Sequence, residues 1–148
     1  MSGIAVTEKI LSYVEEHLDK ELSLEKIGEA LHYSKFYIAR VFKENTGTTL
    51  YRYIRRRRLD EAAKKLAESS SPVIEIALEA GYESQQAFIQ AFHQEYGYTP
   101  LEYRKNGIFV PKQNRIVLQR NGRFAKSRYM NSQFTLCFVH LSGGEMAA

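Results

Sequence analysis

The sequence holds one cysteine, Cys137, so no disulfide can close within the chain, and a reducing cytosol is the expected setting. Its apolar runs are only a few residues long, too short to cross a bilayer as a helix. The opening Met1-Ser2-Gly3-Ile4 lacks a basic stretch followed by an apolar one, so no secretory leader is expected. His17, His32, His93 and His140 are too widely spaced for a metal-ligand pattern, and neither metal nor other cofactor is expected. No nucleophile–base pair, carboxylate cluster or glycine-rich phosphate loop is found, so an enzyme is not the expected reading.

What is present is a chain of 148 residues, 44% hydrophobic, enough for one domain with a real core and a short extra segment. Its net charge of +4 is unevenly spread. Residues 1–104 carry 14 basic and 16 acidic side chains, while residues 105–148 carry 7 basic ones against Glu145. The main body is therefore not basic overall, and nucleic-acid binding requires its cations to be focused on one face.

The organising feature is an internal repeat. At an offset of fifty, Ser34 matches Ser84, Phe42 matches Phe92, Gly47 matches Gly97, Thr49 matches Thr99 and Tyr53 matches Tyr103. Upstream the offset is forty-nine, pairing Ile27 with Ile76 and Tyr33 with Tyr82, so the second copy has one extra residue in its turn. Each copy reads as helix, tight turn, helix. In the first, Ser23 caps a helix from about Leu24 to Leu31, and Ser34 caps one from Lys35 to Thr46 that stops at Gly47. In the second, Pro72 occupies a first helical turn running to about Ala80, and Ser84 caps a helix from Gln85 to Tyr96. Thr99-Pro100 starts a last helix through Tyr103.

Between the copies, Leu50 to about Ser69 reads as one long helix striped by Leu50, Ile54, Leu59, Ala62, Ala63 and Leu66. About twenty residues at ~1.5 Å rise cover ~30 Å, close to the ~34 Å of one turn of B-DNA. The expected organisation is a double helix-turn-helix over 5–105, with subdomains near 5–48 and 71–105 joined by that helix. Residues 106–148 form a basic tail with strand propensity at Ile116-Val117-Leu118 and Phe134 to Val139. Three readings of the tail stand: a docked extension, the opening of a truncated effector domain, or disorder. The expected fold class is all-α, seven helices followed by this irregular or β-prone tail.

In a helix-turn-helix the second helix enters the major groove, so it reads with the face opposite its apolar stripe. With Ile38, Val41 and Phe42 inward, the first reading face presents Lys35, Phe36, Ala39, Arg40 and Lys43, with Tyr37 at its flank. Arg40 suits guanine O6 and N7, while Phe36 and Ala39 suit a thymine methyl. Lys35 and Lys43 suit phosphates. With Phe88, Ala91 and Phe92 inward, the second face presents Gln85, Gln86, Ile89, Gln90 and His93. Glutamines pair with adenine and Ile89 with a methyl, but the face carries no Lys or Arg. Arg52 and the run Arg55-Arg56-Arg57-Arg58 are placed to neutralise phosphates. The plainer alternatives remain open. The arginines would pair with Asp60 and Glu61 or solvate, Phe36 would belong to a core, and Tyr33, Tyr53, Tyr82 and Tyr103 would pack with wet hydroxyls. A helical protein-interaction module without DNA binding is the alternative function.

The residues Leu22-Ser23-Leu24-Glu25-Lys26-Ile27, Tyr33-Ser34-Lys35-Phe36 and Arg40-Val41-Phe42-Lys43 form one motif set. Tyr53-Ile54-Arg55, Arg57-Arg58-Leu59, Ile74-Glu75-Ile76-Ala77, Gly81 to Gln86 and Gly97-Tyr98-Thr99-Pro100 continue it. Together they resemble the DNA-binding domain of the AraC/XylS regulators, nearest the branch of MarA, SoxS and Rob. The resemblance covers about Thr7 to Arg104. It implies two helix-turn-helix subdomains, binding to double-stranded promoter DNA as a monomer, and activation through RNA polymerase. By position it assigns base reading to Phe36, Ala39 and Arg40, then to Gln85, Gln86, Ile89 and Gln90. That branch carries Trp at the position of Phe36, Gln at Ala39, Thr at Ile89 and Arg at Gln90, so its target sequence does not transfer. Rob-like relatives continue into an effector-binding domain, for which this tail is too short.

Overall fold

The computed structural model describes residues 2–113, 115–118, 124–128 and 137–140, the last two stretches by backbone alone. Among the described residues seven helices precede a small sheet: α1 (Gly3–Glu16), α2 (Leu24–Leu31), α3 (Lys35–Thr46), α4 (Leu50–Glu68), α5 (Val73–Glu79), α6 (Gln85–Tyr96) and α7 (Pro100–Asn106). Strands β1 (Arg115–Leu118), β2 (Phe124–Arg128) and β3 (Cys137–His140) form an antiparallel sheet in that order, Val117 opposite Lys126 and Ala125 opposite Val139. Among the described residues no helix is long and apolar enough to cross a membrane.

Side chains at the helix starts explain where most helices begin. The hydroxyls of Ser2, Ser23, Ser34 and Ser84 each accept the backbone N–H three residues on, at 3.1–3.2 Å, satisfying a donor that has no partner inside the helix. Thr99 and Glu102 close a reciprocal capping box at α7. That helix extends three residues beyond the expected Tyr103, with Arg104 and Lys105 at its negative end. Pro72 stands one position earlier than expected: it is the N-cap of α5, with φ −58° and ψ 142°.

The chain divides into two compact units, the described residues of Met1–Ile54 with Asn114–Ala148, and Arg55–Gln113. The division falls inside α4, so the helix expected as a spacer supplies core to both. In the first unit, Val6, Ile10 and Val14 of α1 join Ile27, Ile38, Phe42, Leu50 and Tyr53, with Ile116 and Leu118 of β1 packed into the same core. Strand β1 thus packs against the helices of this unit. In the second unit, Leu59, Ala62, Ala63 and Leu66 are buried, as are Ile76, Phe88, Phe92 and Tyr103. Arg104 ties its helices together by donating to the carbonyls of Leu66 (3.0 Å) and Ser71 (2.6 Å).

Tyr53 and Tyr103, repeat partners, play matching parts. Each ring is buried, and each hydroxyl accepts a backbone N–H from the C-terminal segment: Ile116 at 3.4 Å and Val110 at 2.9 Å. These hydroxyls are therefore anchors for the tail. Of the expected strands, the first is β1 and the second is β3 at Cys137–His140, with residues 134–136 outside the described residues. Strand β2 was hidden by its polar sequence, Phe-Ala-Lys-Ser-Arg.

The two turns differ in a way that involves glycine. His32 and its repeat partner Gly81 both take left-handed backbone, at φ 64° and 89°. In the shorter first turn the Tyr33 N–H donates to the Gly28 carbonyl at 2.9 Å. A Cβ on Gly28 would stand 2.5 Å from the Tyr33 carbonyl oxygen. In the second turn, lengthened by Glu83, the corresponding residue is Ala77, and Tyr82 still donates to its carbonyl at 3.1 Å.

Candidate nucleic-acid interface

Helix α3 buries Ile38, Val41, Phe42 and Thr46 and turns the opposite side outward. Lys35, Phe36, Arg40 and Lys43 are exposed there, and Ala39 and Tyr37 are half-buried. Phe36 is 76% exposed, which removes the core reading of this residue. The ring shares this side of the helix with three cations, Lys35, Arg40 and Lys43. The cations are not idle. Lys35 Nζ pairs with Glu25 of α2 at 3.0 Å and lies 5.4 Å from the Phe36 ring. The Arg40 guanidinium lies over the Tyr37 ring at 5.5 Å, and Lys43 donates to the Gly47 carbonyl at 3.2 Å. Glu25 is held below its ordinary pKa, first by backbone N–H at the start of α2 and then by Lys35.

Helix α6 repeats the plan with different chemistry. Phe88, Ala91, Phe92 and Tyr96 are buried, while Gln85, Gln86, Gln90 and His93 are exposed and Ile89 is half-buried. Its outward face remains free of Lys and Arg.

The arginine run at the start of α4 does not form an open cationic patch. Arg56 pairs with Glu95 at 2.9 Å. Arg57 is only 4% exposed, pairs with Glu61 at 3.1 Å and donates to the Gln113 carbonyl at 3.4 Å. Arg58 is half-buried against Gly81, and burial lowers its pKa. Of the cations expected to meet phosphates, Arg52 is exposed and Arg55 is half-buried. Arg56 and Arg57 find acids, as the plainer reading of the run allowed.

Asp60 does something sequence reasoning missed. Its carboxylate is fully buried. It accepts the Tyr96 hydroxyl and the backbone N–H groups of Lys112 (2.9 Å) and Gln113 (2.7 Å). It fixes the segment after α7. Burial raises its pKa from 3.8 to about 6, against the opposing effect of those hydrogen bonds and Arg57. The only signal in the sequence was an acid beside the apolar stripe of α4.

Two capped helices, each following a tight turn and each with an outward polar face, define a double helix-turn-helix. The family described as "Helix-turn-helix domain" matches residues 27–106, which spans both. The chain is 42% identical over 99 residues to the multiple antibiotic resistance protein MarA of Escherichia coli (strain K12), covering 67% of this chain and 78% of that one. It is 38% identical over 104 residues to the regulatory protein SoxS of Salmonella typhimurium, covering 70% of this chain and 97% of that one. The chain belongs to the AraC family. A solved AraC-type transcriptional regulator from Chromobacterium violaceum superposes with a TM-score of 0.65 at 25% identity, over 70% of this chain and 92% of that one. The family match runs from within α2 through α7, and the fold class follows from it and from the structural likeness.

Proposed function

We propose that this AraC-family protein holds promoter DNA with α3 and α6 in successive major grooves and activates transcription through RNA polymerase, as a monomer on DNA in the cytoplasm at the nucleoid. As a member of that family it is a sequence-specific DNA-binding transcription regulator. The observation that carries the reading is the outward face of α3, where Arg40, Phe36 and Lys43 stand together opposite the buried Ile38, Val41 and Phe42. Arg40 forms a bidentate pair with guanine, and Phe36 and Ala39 meet a thymine methyl. Lys35, Lys43, Arg52 and Arg55 hold phosphates. On α6, Gln85, Gln86 and Gln90 read adenines and Ile89 meets a methyl, with His93 at the edge. Lacking a cation among its own reading residues, the second half contributes less affinity and leans on groove shape.

The test is selection of bound duplexes from a random library, followed by a salt titration on the winners. A two-part motif with parts about one helical turn apart is the expected result. Salt-independent binding with no motif would sink the proposal in favour of a protein-interaction module.

A further inference from the structure

Resting on Arg40 as the base-reading residue of α3, we infer that Tyr37 is its positioning residue, an aromatic platform that holds the guanidinium ready before DNA arrives. The two side chains are three residues apart on one helix, where side chains are neighbours. The Arg40 guanidinium lies 5.5 Å from the Tyr37 ring centroid, within cation–π range. Tyr37 is in turn backed by Tyr33 from the turn, with ring centroids 5.1 Å apart. The platform therefore has a fixed base and a half-buried ring.

The chemistry suits reading. Cation–π attraction uses the charge of the guanidinium and leaves its five N–H donors available for a guanine edge. An arginine has about 2 kcal/mol of rotamer entropy to lose, and a ring that confines it beforehand removes part of that loss from the binding step.

The repeat gives an independent observation. Tyr37 corresponds to Ala87, and Arg40 corresponds to Gln90, so platform and guanidinium are absent together from the second copy. Tyr82, the partner of Tyr33, has its ring 5.6 Å from the buried Phe88. The tyrosine of the first turn packs on the platform ring, and that of the second packs on a core ring.

The experiment measures Kd for the selected duplex and for one with the guanine opposite Arg40 replaced, using Tyr37→Leu, Tyr37→Phe, Arg40→Ala and the Leu/Ala double variant. Tyr37→Leu is expected to cut the preference for guanine about two- to five-fold, with the salt slope and the binding to the replaced duplex unchanged. Tyr37→Phe keeps the ring and the preference. In the Arg40→Ala background, Tyr37→Leu has no further effect. Additive losses, or an equal loss on both duplexes, overturn the platform and make Tyr37 a fold or phosphate residue. Full guanine preference in Arg40→Ala instead removes the base-reading assignment itself, and the platform with it.

Discussion

Replacing Gly28 with alanine sets two effects of opposite sign against each other. Helix propensity alone favours the change, by about 1 kcal/mol for a residue inside a helix. Packing opposes it. The new Cβ would lie 2.5 Å from the Tyr33 carbonyl oxygen, nearly an ångström short of the 3.4 Å at which ordinary contact begins. The obstacle is backbone, and it cannot swing aside like the end of a lysine. The Tyr33 N–H is bound to Gly28, and the next residue, Ser34, caps α3. Overpacking of this kind costs roughly 1–3 kcal/mol, more when backbone must yield. The net expectation is a loss of about 1–2 kcal/mol, or several degrees in Tm for a unit of this size. Thermal and urea unfolding followed by circular dichroism will read it. A second variant sharpens the comparison: Gly28→Ala with a glutamate inserted between Tyr33 and Ser34 reproduces the second turn, where Ala77 is accommodated. That insertion should recover much of the loss. Unchanged or increased stability of Gly28→Ala alone would refute the steric argument, because it is what propensity without the turn contact predicts.

Other expectations follow from the same structure. Arg40→Ala should cost about 1–3 kcal/mol in binding and relax preference at a single base position, read by competition among single-base variants of the selected site. Lys43→Ala should weaken all duplexes alike and lower the salt slope by about 1, as fluorescence anisotropy across a salt series would register. Asp60 gives a pH dependence of unusual sign. Its pKa in the folded state, about 6, exceeds the ordinary 3.8, so the native state takes up the proton first. The stabilisation from protonation is complete below about pH 3.8 and is lost as pH rises through 6. The parent should therefore gain on the Asp60→Asn variant, by roughly 2–3 kcal/mol, as pH falls from 7 to 4 in denaturant titrations. A constant difference between the two across that range would contradict the burial argument.

The helices were legible because their signals are local. Ser23, Ser34, Ser84 and Thr99 each act on an N–H three residues away, and Gly47 and Gly97 end helices with their own left-handed backbone. The outward faces were equally readable, since a 3.6-residue period places Phe36 and Arg40 opposite Val41 and Phe42. What stayed hidden depends on partners distant in the chain. Nothing near Asp60 announces Lys112 and Gln113, and nothing in four consecutive arginines says which will meet Glu95. The hydroxyl partners of Tyr53 and Tyr103, Ile116 and Val110, lie in the tail, where only short apolar runs gave any sequence signal. Strand β2 alternates too few apolar residues to stand out, and pairing with its neighbours brings it into the sheet.

The division of the chain inside α4 gives each reading helix a core of its own. A duplicated unit with a private core can change its surface without unsettling its twin. The glutamine face of α6 and the arginine face of α3 show how far the copies have drifted while Phe42 and Phe92, Tyr53 and Tyr103 stayed alike. Under the proposed reading of DNA by both helices, such a protein can acquire new promoters by altering half an operator at a time, with the other half left untouched.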